Sequence, residues 1–146
     1  EWVGQDTWAA GTGIFLQQRA RLLQLSLDEM SALSLRAESK ASITSTCAVF
    51  AESEVISHVH RDPPTARGDI AAGIYYSIVS RIMALCKRVS VEREVAMAGG
   101  VAMNRGLVKV MGEELGFDIL VPDSPQLVSA LGAAILADEA IAEGAK

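Results

Sequence analysis

The chain has few of the residues that mark several large classes of protein. Only two cysteines and four prolines occur among its 146 residues. Two cysteines cannot build the disulfide framework of a small secreted domain, so we expect reduced thiols and a cytoplasmic protein. No uninterrupted apolar run approaches the ~18 residues of a membrane span, and no basic segment followed by an apolar stretch indicates a secretion signal. These absences predict no membrane partner.

A basic surface is also missing. Thirteen lysines and arginines stand against 18 acidic residues, which gives a formal net charge of -5. This balance argues against binding to nucleic acid, which needs a basic face. Half of the residues are apolar, enough for a hydrophobic core. The length fits a single domain over residues 1–146, or one lobe of a larger protein.

Hydrophobic spacing and capping signals predict a chain that is mostly helical. Ser26 with Glu29 three residues later has the pattern of a capping box, in which each residue bonds the other's backbone amide. Gly116 is placed to end a helix in the left-handed conformation. The predicted helices cover Ile14–Leu23, a short segment after Ser26, Ala48–Val59, Asp69–Val89, Arg105–Leu115 and Gln126–Ala142, with Leu33–Ser42 mainly loop.

Two short apolar runs, Glu94–Ala98 and Phe117–Val121, predict β-strands, and Pro122 closes the second. The helix between them predicts a right-handed crossover that sets the strands side by side. Two strands are too few for a stable sheet, so further strands must come from other segments. The sequence therefore predicts an α/β fold, rich in helix, with a small mixed sheet.

The most informative stretch is Met97-Ala98-Gly99-Gly100-Val101-Ala102-Met103-Asn104. A strand leads into two glycines, which reach backbone angles closed to other residues and let a ligand approach closely. A helix begins just beyond, where unpaired amides favour an anion or a polar ring edge. The pattern is typical of a nucleotide-contacting loop, although a Gly-Gly pair after a strand also makes ordinary turns.

Other chemistry-bearing residues allow two interpretations each. Cys47 lies in a polar run at a helix start, where the thiolate that binds metals is favoured, whereas Cys86 lies on an apolar helix face and is predicted to be a core residue. Glu52 could be a general base or a magnesium contact, or could simply serve the first turns of a helix. His58 and His60 are two residues apart, so they diverge on a helix and are predicted to be solvated.

Two further groups of side chains are predicted to have structural roles. Arg19 and Arg21 form either a docking surface for an acidic partner or a solvated helix face, and we favour the second. The last group is expected to pack in the ordinary way; its members are Phe15, Phe50, Met83 and Met103.

Five segments together resemble a known family. The chain is similar to the C-terminal lobe of the ATPases that activate 2-hydroxyacyl-CoA dehydratases, and to the related ATPase subunits of benzoyl-CoA reductase. The matching segments run over nearly the whole chain; they are Ala9-Ala10-Gly11-Thr12-Gly13, the run from Ser45-Thr46-Cys47 to Val55, Asp69-Ile70-Ala71-Ala72-Gly73-Ile74, Gly99-Gly100-Val101-Ala102-Met103-Asn104 and Ala130-Leu131-Gly132-Ala133-Ala134.

This resemblance implies an actin-like, ribonuclease H-like ATPase fold of two lobes with ATP or ADP and magnesium in the cleft. It places Gln126 near the base. In the family, two subunits hold one 4Fe-4S cluster, each supplying two cysteines, and Cys47 corresponds to one of them. ATP binding and hydrolysis drive an electron to a CoA-ester dehydratase or reductase. The residues that the resemblance places against adenosine are Gly99, Gly100, Val101, Ala102 and Asn104.

The chain departs from the family in two places. Trp8 stands where the other cluster cysteine is expected, and tryptophan cannot ligate iron. Either that ligand has been substituted, or Gly4-Gln5-Asp6-Thr7 is the family's phosphate-contacting motif and a hairpin after it is missing. The second interpretation gives Gln5 and Asp6 roles near phosphate or magnesium. The N-terminal lobe, with its phosphate loop, is also absent, so we expect weak nucleotide binding and little hydrolysis from this chain alone.

Three functions follow as hypotheses. The first is a component of an ATP-dependent electron-transfer activator, acting as a homodimer or with a paired homologous subunit. The second is a nucleotide-binding or assembly module that has lost the cluster. The third, a phosphotransferase on the same fold, lacks an acceptor-binding aspartate in a suitable motif, and fold alone does not decide function.

Overall fold

A computed structural model describes residues 3–4, 11–44 and 48–144, apart from the side chain of Ala48. Within these ranges, six α-helices and two 3-10 turns make up the regular structure. The predicted helices are confirmed, with ends that move by up to three residues. The helices are α1 Thr12–Leu22, α2 Leu27–Ser34, α3 Ala48–His60, α4 Arg67–Cys86, α5 Arg105–Leu115 and α6 Val128–Ala142, and the 3-10 turns are Gly100–Met103 and Pro125–Leu127.

The helix α4 forms the centre of the core. It packs against α2 and α5, and its most buried side chains are Ile70, Ile74, Tyr75, Ile78 and Val79. Gly106 lets α5 approach closely, because a Cβ there would lie 2.6 Å from Ser34 Oγ and 2.7 Å from Tyr75 Cε2. The Gly106 amide donates to Ser31 Oγ at 2.9 Å. This packing fixes the start of α5, and with it the glycine-containing segment that precedes it.

The helix α1 is joined to α3 by a buried arginine. Arg19 is 1% exposed, and its Nη1 lies 3.2 Å from Glu52 Oε2. Its guanidinium lies 4.4 Å from the centre of the Phe15 ring. Burial lowers the pKa of Arg19, and the Glu52 carboxylate opposes that shift. The prediction that Arg19 is solvated was therefore wrong, and Glu52 is engaged in an ion pair between helices.

His58 also differs from its prediction. It is half-buried, with Nδ1 3.0 Å from Thr65 Oγ1 and Nε2 3.2 Å from the Ser42 carbonyl. Both ring nitrogens thus join the end of α3 to neighbouring loops, whereas His60 is exposed.

The two predicted strands are not formed in the described part of the chain. Segments 94–98 and 117–121 meet only at one parallel bridge, between Ala96 and Leu120. Met97 N donates to the Leu120 carbonyl, and Leu120 N to the Val95 carbonyl, both at 2.9 Å. The parallel direction was predicted correctly, but the strands were not. Among residues 11–44 and 48–144 no further strand lies beside this pair, and two strands alone do not make a stable sheet.

The helix α6 has no buried residue. Its large apolar side chains are widely exposed, including Leu131 at 63%, Leu136 at 67% and Ile141 at 76%. By length and composition alone, Arg67–Cys86 and Pro125–Ala142 would both suit a membrane span, with mean hydropathies of 1.3 and 1.2. The first is the core helix α4, and the second is an apolar helix that the described residues leave uncovered.

Candidate nucleotide-binding site

The two adjacent glycines build an open bend in the backbone. Gly99 has φ 95° and ψ 174°, a region that only glycine occupies without strain. No atom lies within 4 Å of the position that a Cβ would take on Gly99. Its amide donates to the Pro125 carbonyl at 2.7 Å. The bend is therefore fixed by the backbone on one side and open to a ligand on the other.

The 3-10 turn after this bend leads directly into α5. Ala102 N donates to the Gly99 carbonyl at 3.1 Å, and the Ala102 side chain is buried. We call residues 99–104 the glycine loop. Its geometry confirms the prediction of a glycine turn before a helix start, while the strand expected before it is reduced to the single bridge.

The Asn104 side chain fixes the end of the glycine loop to the neighbouring helices. Its Oδ1 accepts a hydrogen bond from Leu107 N at 3.1 Å and so caps α5, and its Nδ2 donates to the Tyr75 hydroxyl at 3.0 Å. Burial raises the pKa of Tyr75. Both polar atoms of the Asn104 side chain thus serve the scaffold, so Asn104 supports the loop by fixing it to α4 and α5.

The start of α1 lies beside the glycine loop. A Cβ on Gly13 would lie 3.8 Å from Val101 Cγ2, and Gly11, with φ 93°, is the residue that precedes the helix. Helix N-termini carry unpaired amides and a partial positive charge, which favour phosphate. The structure thus brings together two glycine-bearing segments that are almost 90 residues apart in sequence.

The Gln126 side chain lies next to the glycine loop. Its Nε2 lies 2.6 Å from Met103 Sδ and 3.9 Å from the position of a Cβ on Gly100. Both side chains are exposed, and Met103 is 60% exposed. Met103 was predicted to pack in the ordinary way, and that prediction was wrong, as it was for Phe50 at 65% exposure; Phe15 and Met83 do pack against the core.

A groove of about 1370 Å³ adjoins the glycine loop on the α5 side. It shares Ala102, Met103 and Pro125 with the loop region, and extends along α5 to the segment at 116–123. Its polar lining has both signs of charge and includes Arg105, Lys109, Glu113, Asp118 and Asp123. A mixed lining of this kind offers both donors and acceptors to a ligand that reaches beyond the loop.

The remaining predicted site residues lie outside the described ranges; they are Gln5, Asp6, Trp8 and Cys47. Among the residues that are described, no group of three His, Cys, Asp or Glu side chains could hold a metal ion. The other thiol, Cys86, packs against the core from α4. A cluster bound by four thiolates therefore does not fit the donors of one chain, because Cys47 would be its single ligand.

Sequence reasoning missed two supporting residues of this site. Tyr75 holds Asn104, and Met103 contacts Gln126. Tyr75 lies in a helix whose buried face is visible in the sequence, but its contact with residue 104 depends on the packing of α4 against α5. Met103 lies inside the glycine motif itself, and this position in the sequence could have marked it as a residue of the site.

Comparison with known proteins gives one consistent result. Residues 1–137 match the BadF/BadG/BcrA/BcrD ATPase family. The chain is 48% identical over 136 residues to a 2-hydroxyisocaproyl-CoA dehydratase activator of Clostridioides difficile, covering 92% of this chain and 50% of that protein. It is 42% identical over 132 residues to the (R)-2-hydroxyglutaryl-CoA dehydratase activating ATPase of Acidaminococcus fermentans, covering 90% and 50%.

A solved structure agrees with these relatives. The activator of the 2-hydroxyisocaproyl-CoA dehydratase from Clostridium difficile, with bound ADPNP, superimposes with a TM-score of 0.85 at 46% identity, over 95% of this chain and 52% of that one. The chain thus spans about half the length of the relatives that it matches. With the motifs, the helical architecture and these matches in agreement, the chain belongs to the BadF/BadG/BcrA/BcrD ATPase family.

Proposed function

We propose that the chain is the C-terminal, nucleotide-binding lobe of an ATP-dependent electron-transfer activator for a CoA-ester dehydratase or reductase. The observation that carries this proposal is the open bend at Gly99, in a loop whose Val101 side chain lies beside Gly13 at the start of α1. The relatives named as dehydratase activators support it, as does the similar structure that contains an ATP analogue. These names favour the activator over a module that serves assembly alone.

The adenosine part of ATP or ADP lies against Gly99, Gly100, Val101 and Ala102 in this proposal. A missing Cβ at the bend lets the ribose or base approach the backbone closely. Asn104 keeps the loop in place through its bonds to Leu107 N and Tyr75. The loop is thus pre-organised before nucleotide arrives, which lowers the ordering cost of binding.

The phosphates point towards the N-terminus of α1, where backbone amides and the helix dipole offset their charge. Gln5 and Asp6 precede α1 in the sequence and are assigned to phosphate and magnesium. In-line hydrolysis needs further phosphate contacts and a positioned water, which the other lobe supplies. The isolated chain therefore binds nucleotide weakly and hydrolyses little.

The proposed assembly is a pair of identical or homologous subunits in the cytoplasm, docked on the CoA-ester enzyme. Cys47 is the one thiol that each chain brings to a shared 4Fe-4S cluster. A pair then supplies two of four thiolates, so the remaining two ligands must come from elsewhere. No step of the nucleotide chemistry proposed here depends on that cluster.

The first test is ADP binding by the chain and by Gly99→Ala, measured by isothermal titration calorimetry. The wild-type chain is expected to show saturable binding with a Kd of roughly 0.1–1 mM. Alanine cannot adopt the Gly99 backbone without a strain of about 1–3 kcal/mol, so binding is expected to weaken about tenfold.

Gly144→Ala is the matched control. Gly144 also has a positive φ, 75°, and nothing within 4 Å of its Cβ position, but it lies beyond α6. Circular dichroism checks that both variants keep their helices. Absence of ADP binding by the wild-type chain, or equal binding by Gly99→Ala, contradicts the proposal.

A further inference from the structure

The groove beside α5 is bounded on one side by an open backbone edge. The amide and the carbonyl of Leu120 both bond to the segment 94–98. Backbone groups of successive residues in an extended chain point to alternate sides, so those of Ile119 and Val121 point away from that segment. Ile119 and Val121 line the groove, and their backbone groups therefore face it.

This edge has no partner in the part of the chain that the structure describes. Within residues 11–44 and 48–144, no hydrogen bond uses the amide or the carbonyl of Ile119 or Val121. An unpaired edge is a template on which another extended chain can add. A pair of segments is also too small to be a stable sheet, and a third strand along this edge would supply what the pair lacks.

The helix α5 forms the other wall of the groove. Val108 and Gly112 line the groove from this helix, and neither has a polar side chain. Phe117 N donates to the Gly112 carbonyl at 3.2 Å, which fixes the edge segment to the end of α5. The groove thus combines an apolar wall with an unpaired backbone edge, the two features that β-strand addition uses.

The charges that line the groove are only partly compensated. Lys109 pairs with Glu113 at 3.4 Å. The other three charged groups are Arg105, Asp118 and Asp123, which are exposed and form no ion pair with any described residue. Two carboxylates therefore remain against one guanidinium, and the lining favours a ligand that carries positive charge.

We propose that an extended segment of a partner protein, with apolar residues at alternate positions and lysine or arginine between them, adds as a strand to the edge at Ile119 and Val121. Its backbone pairs with the free amides and carbonyls of the edge. Its apolar side chains lie against Val108, and its basic side chains meet Asp118 and Asp123. The docking does not depend on the nucleotide function proposed above.

A second copy of this chain is a poorer occupant of the groove. Its own open edge, 117–121, contains Asp118 and no basic residue. Two copies paired edge to edge would bring the Asp118 and Asp123 carboxylates of both chains into one groove, and like charges across a strand pair are destabilising. The charge of the lining therefore favours a different, basic chain.

The direct test uses a synthetic peptide of about ten residues, the upper length of an ordinary strand, in which valine alternates with lysine and threonine. In ¹⁵N NMR spectra of the full chain, the peptide is expected to move the Ile119 and Val121 amide signals downfield and to slow their exchange with solvent, because both amides become hydrogen-bonded. A Kd of roughly 0.1–1 mM is expected. A peptide with glutamate in place of lysine is expected to bind about tenfold more weakly.

Charge reversal provides the second readout. The double variant Asp118→Lys with Asp123→Lys is expected to prefer the glutamate peptide over the lysine peptide. Asp138→Lys is the matched control, because Asp138 is exposed on α6 and does not line the groove, so the preference of the wild type is expected to remain. Circular dichroism checks that both variants keep their helices.

Four outcomes would overturn the proposal. The lysine peptide may bind nowhere, or bind while the Ile119 and Val121 amide signals stay in place. The lysine and glutamate peptides bind equally if the lining charges select nothing. Displacement of the peptide by ADP would assign the groove to the nucleotide site, and a dimer in analytical ultracentrifugation that the peptide dissociates would make a second copy the occupant.

Discussion

At the scale of single residues, Arg19 is a charged side chain whose burial could not be predicted from the sequence. The buried residues of α1 and its C-cap are Leu16, Arg19, Ala20 and Leu23, which follow the i, i+3, i+4, i+7 spacing of a helix face. The spacing alone placed Arg19 inside, but its charge favoured solvent. Glu52, 33 residues away, provides the compensating carboxylate, and that contact cannot be read from local pattern.

The Arg19–Glu52 pair makes a prediction about stability. Glu52→Ala removes the carboxylate from a buried guanidinium, and is expected to lower the free energy of unfolding by about 1.5–3 kcal/mol, the range for hydrogen bonds to charged groups. Arg19→Met removes the buried charge and keeps an apolar stem, so it is expected to cost less. Urea unfolding followed by circular dichroism measures both.

Lys109→Ala is the control for this comparison. Lys109 pairs with Glu113 at 3.4 Å across one turn of α5, with about half of each side chain exposed, and such pairs contribute about 0.3–0.5 kcal/mol. If Glu52→Ala and Lys109→Ala lower the free energy of unfolding equally, burial adds nothing to the Arg19–Glu52 pair.

At the scale of elements, the capping box of α2 was fully readable from sequence. Ser26 Oγ accepts from Glu29 N at 3.1 Å, and Glu29 Oε2 accepts from Ser26 N at 2.7 Å. The bond that the Ser26 backbone amide donates to the Glu29 carboxylate, together with the Ser26 hydroxyl, lowers the pKa of Glu29 below its ordinary value of 4.5. Both partners lie within four residues, so nothing distant is needed to form the motif.

This capping box predicts a pH-dependent contribution to stability. Because the folded pKa of Glu29 is lowered, its stabilisation is present above the unfolded value and is lost as pH falls through the folded value. The wild type is expected to be more stable than Glu29→Gln at about pH 6, and the difference is expected to shrink at about pH 3. Urea midpoints at the two pH values measure it.

Glu92→Gln is the control for this comparison. Glu92 is exposed and lies outside the helices, so this variant removes one negative charge without affecting a cap. A difference between the wild type and Glu29→Gln that stays constant with pH would contradict the assignment.

The predicted strands show that local sequence patterns do not determine sheet pairing. Residues 94–98 and 117–121 have strand-like composition and meet in the predicted parallel direction. A stable sheet, however, needs three or more strands or a covering helix, and the described residues supply no pairing beyond the single bridge. Helices close their hydrogen bonds within one segment, which is why α5 was predicted to the residue and the sheet was not.

At the scale of the whole molecule, the chain spans about half the length of the relatives that it matches. The glycine loop was predictable because its motif is contiguous, and so was its helix start. Its contact with Gly13, its support by Tyr75 and the exposure of Met103 depend on how α1, α4 and the loop pack together. Those relations are long-range and appear only in the folded chain.

The proposed pairing of subunits makes a prediction about iron. After anaerobic reconstitution, Trp8→Cys is expected to bind about four irons per pair of chains, because a pair then offers four thiolates. The wild type is expected to bind less, and adding Cys47→Ser to Trp8→Cys, which again leaves two thiolates per pair, is expected to lower binding to the wild-type level. Iron analysis and absorbance near 400 nm measure the cluster.

Trp2→Cys, which adds a thiol elsewhere in the same segment, is the control. Stoichiometric iron in the wild type would show that Trp8 has not removed a necessary ligand, and equal iron in both cysteine variants would show that the added thiol acts non-specifically.

The sides of α6 that the described residues leave uncovered have a consequence for how long the chain persists in a cell. Molecular chaperones and quality-control proteases recognise exposed apolar surface of the kind formed by Leu131, Leu136 and Ile141. The lifetime of a newly synthesised chain is then expected to depend on how soon another protein surface packs against that helix. The amount of folded protein is expected to fall first when nothing covers that helix.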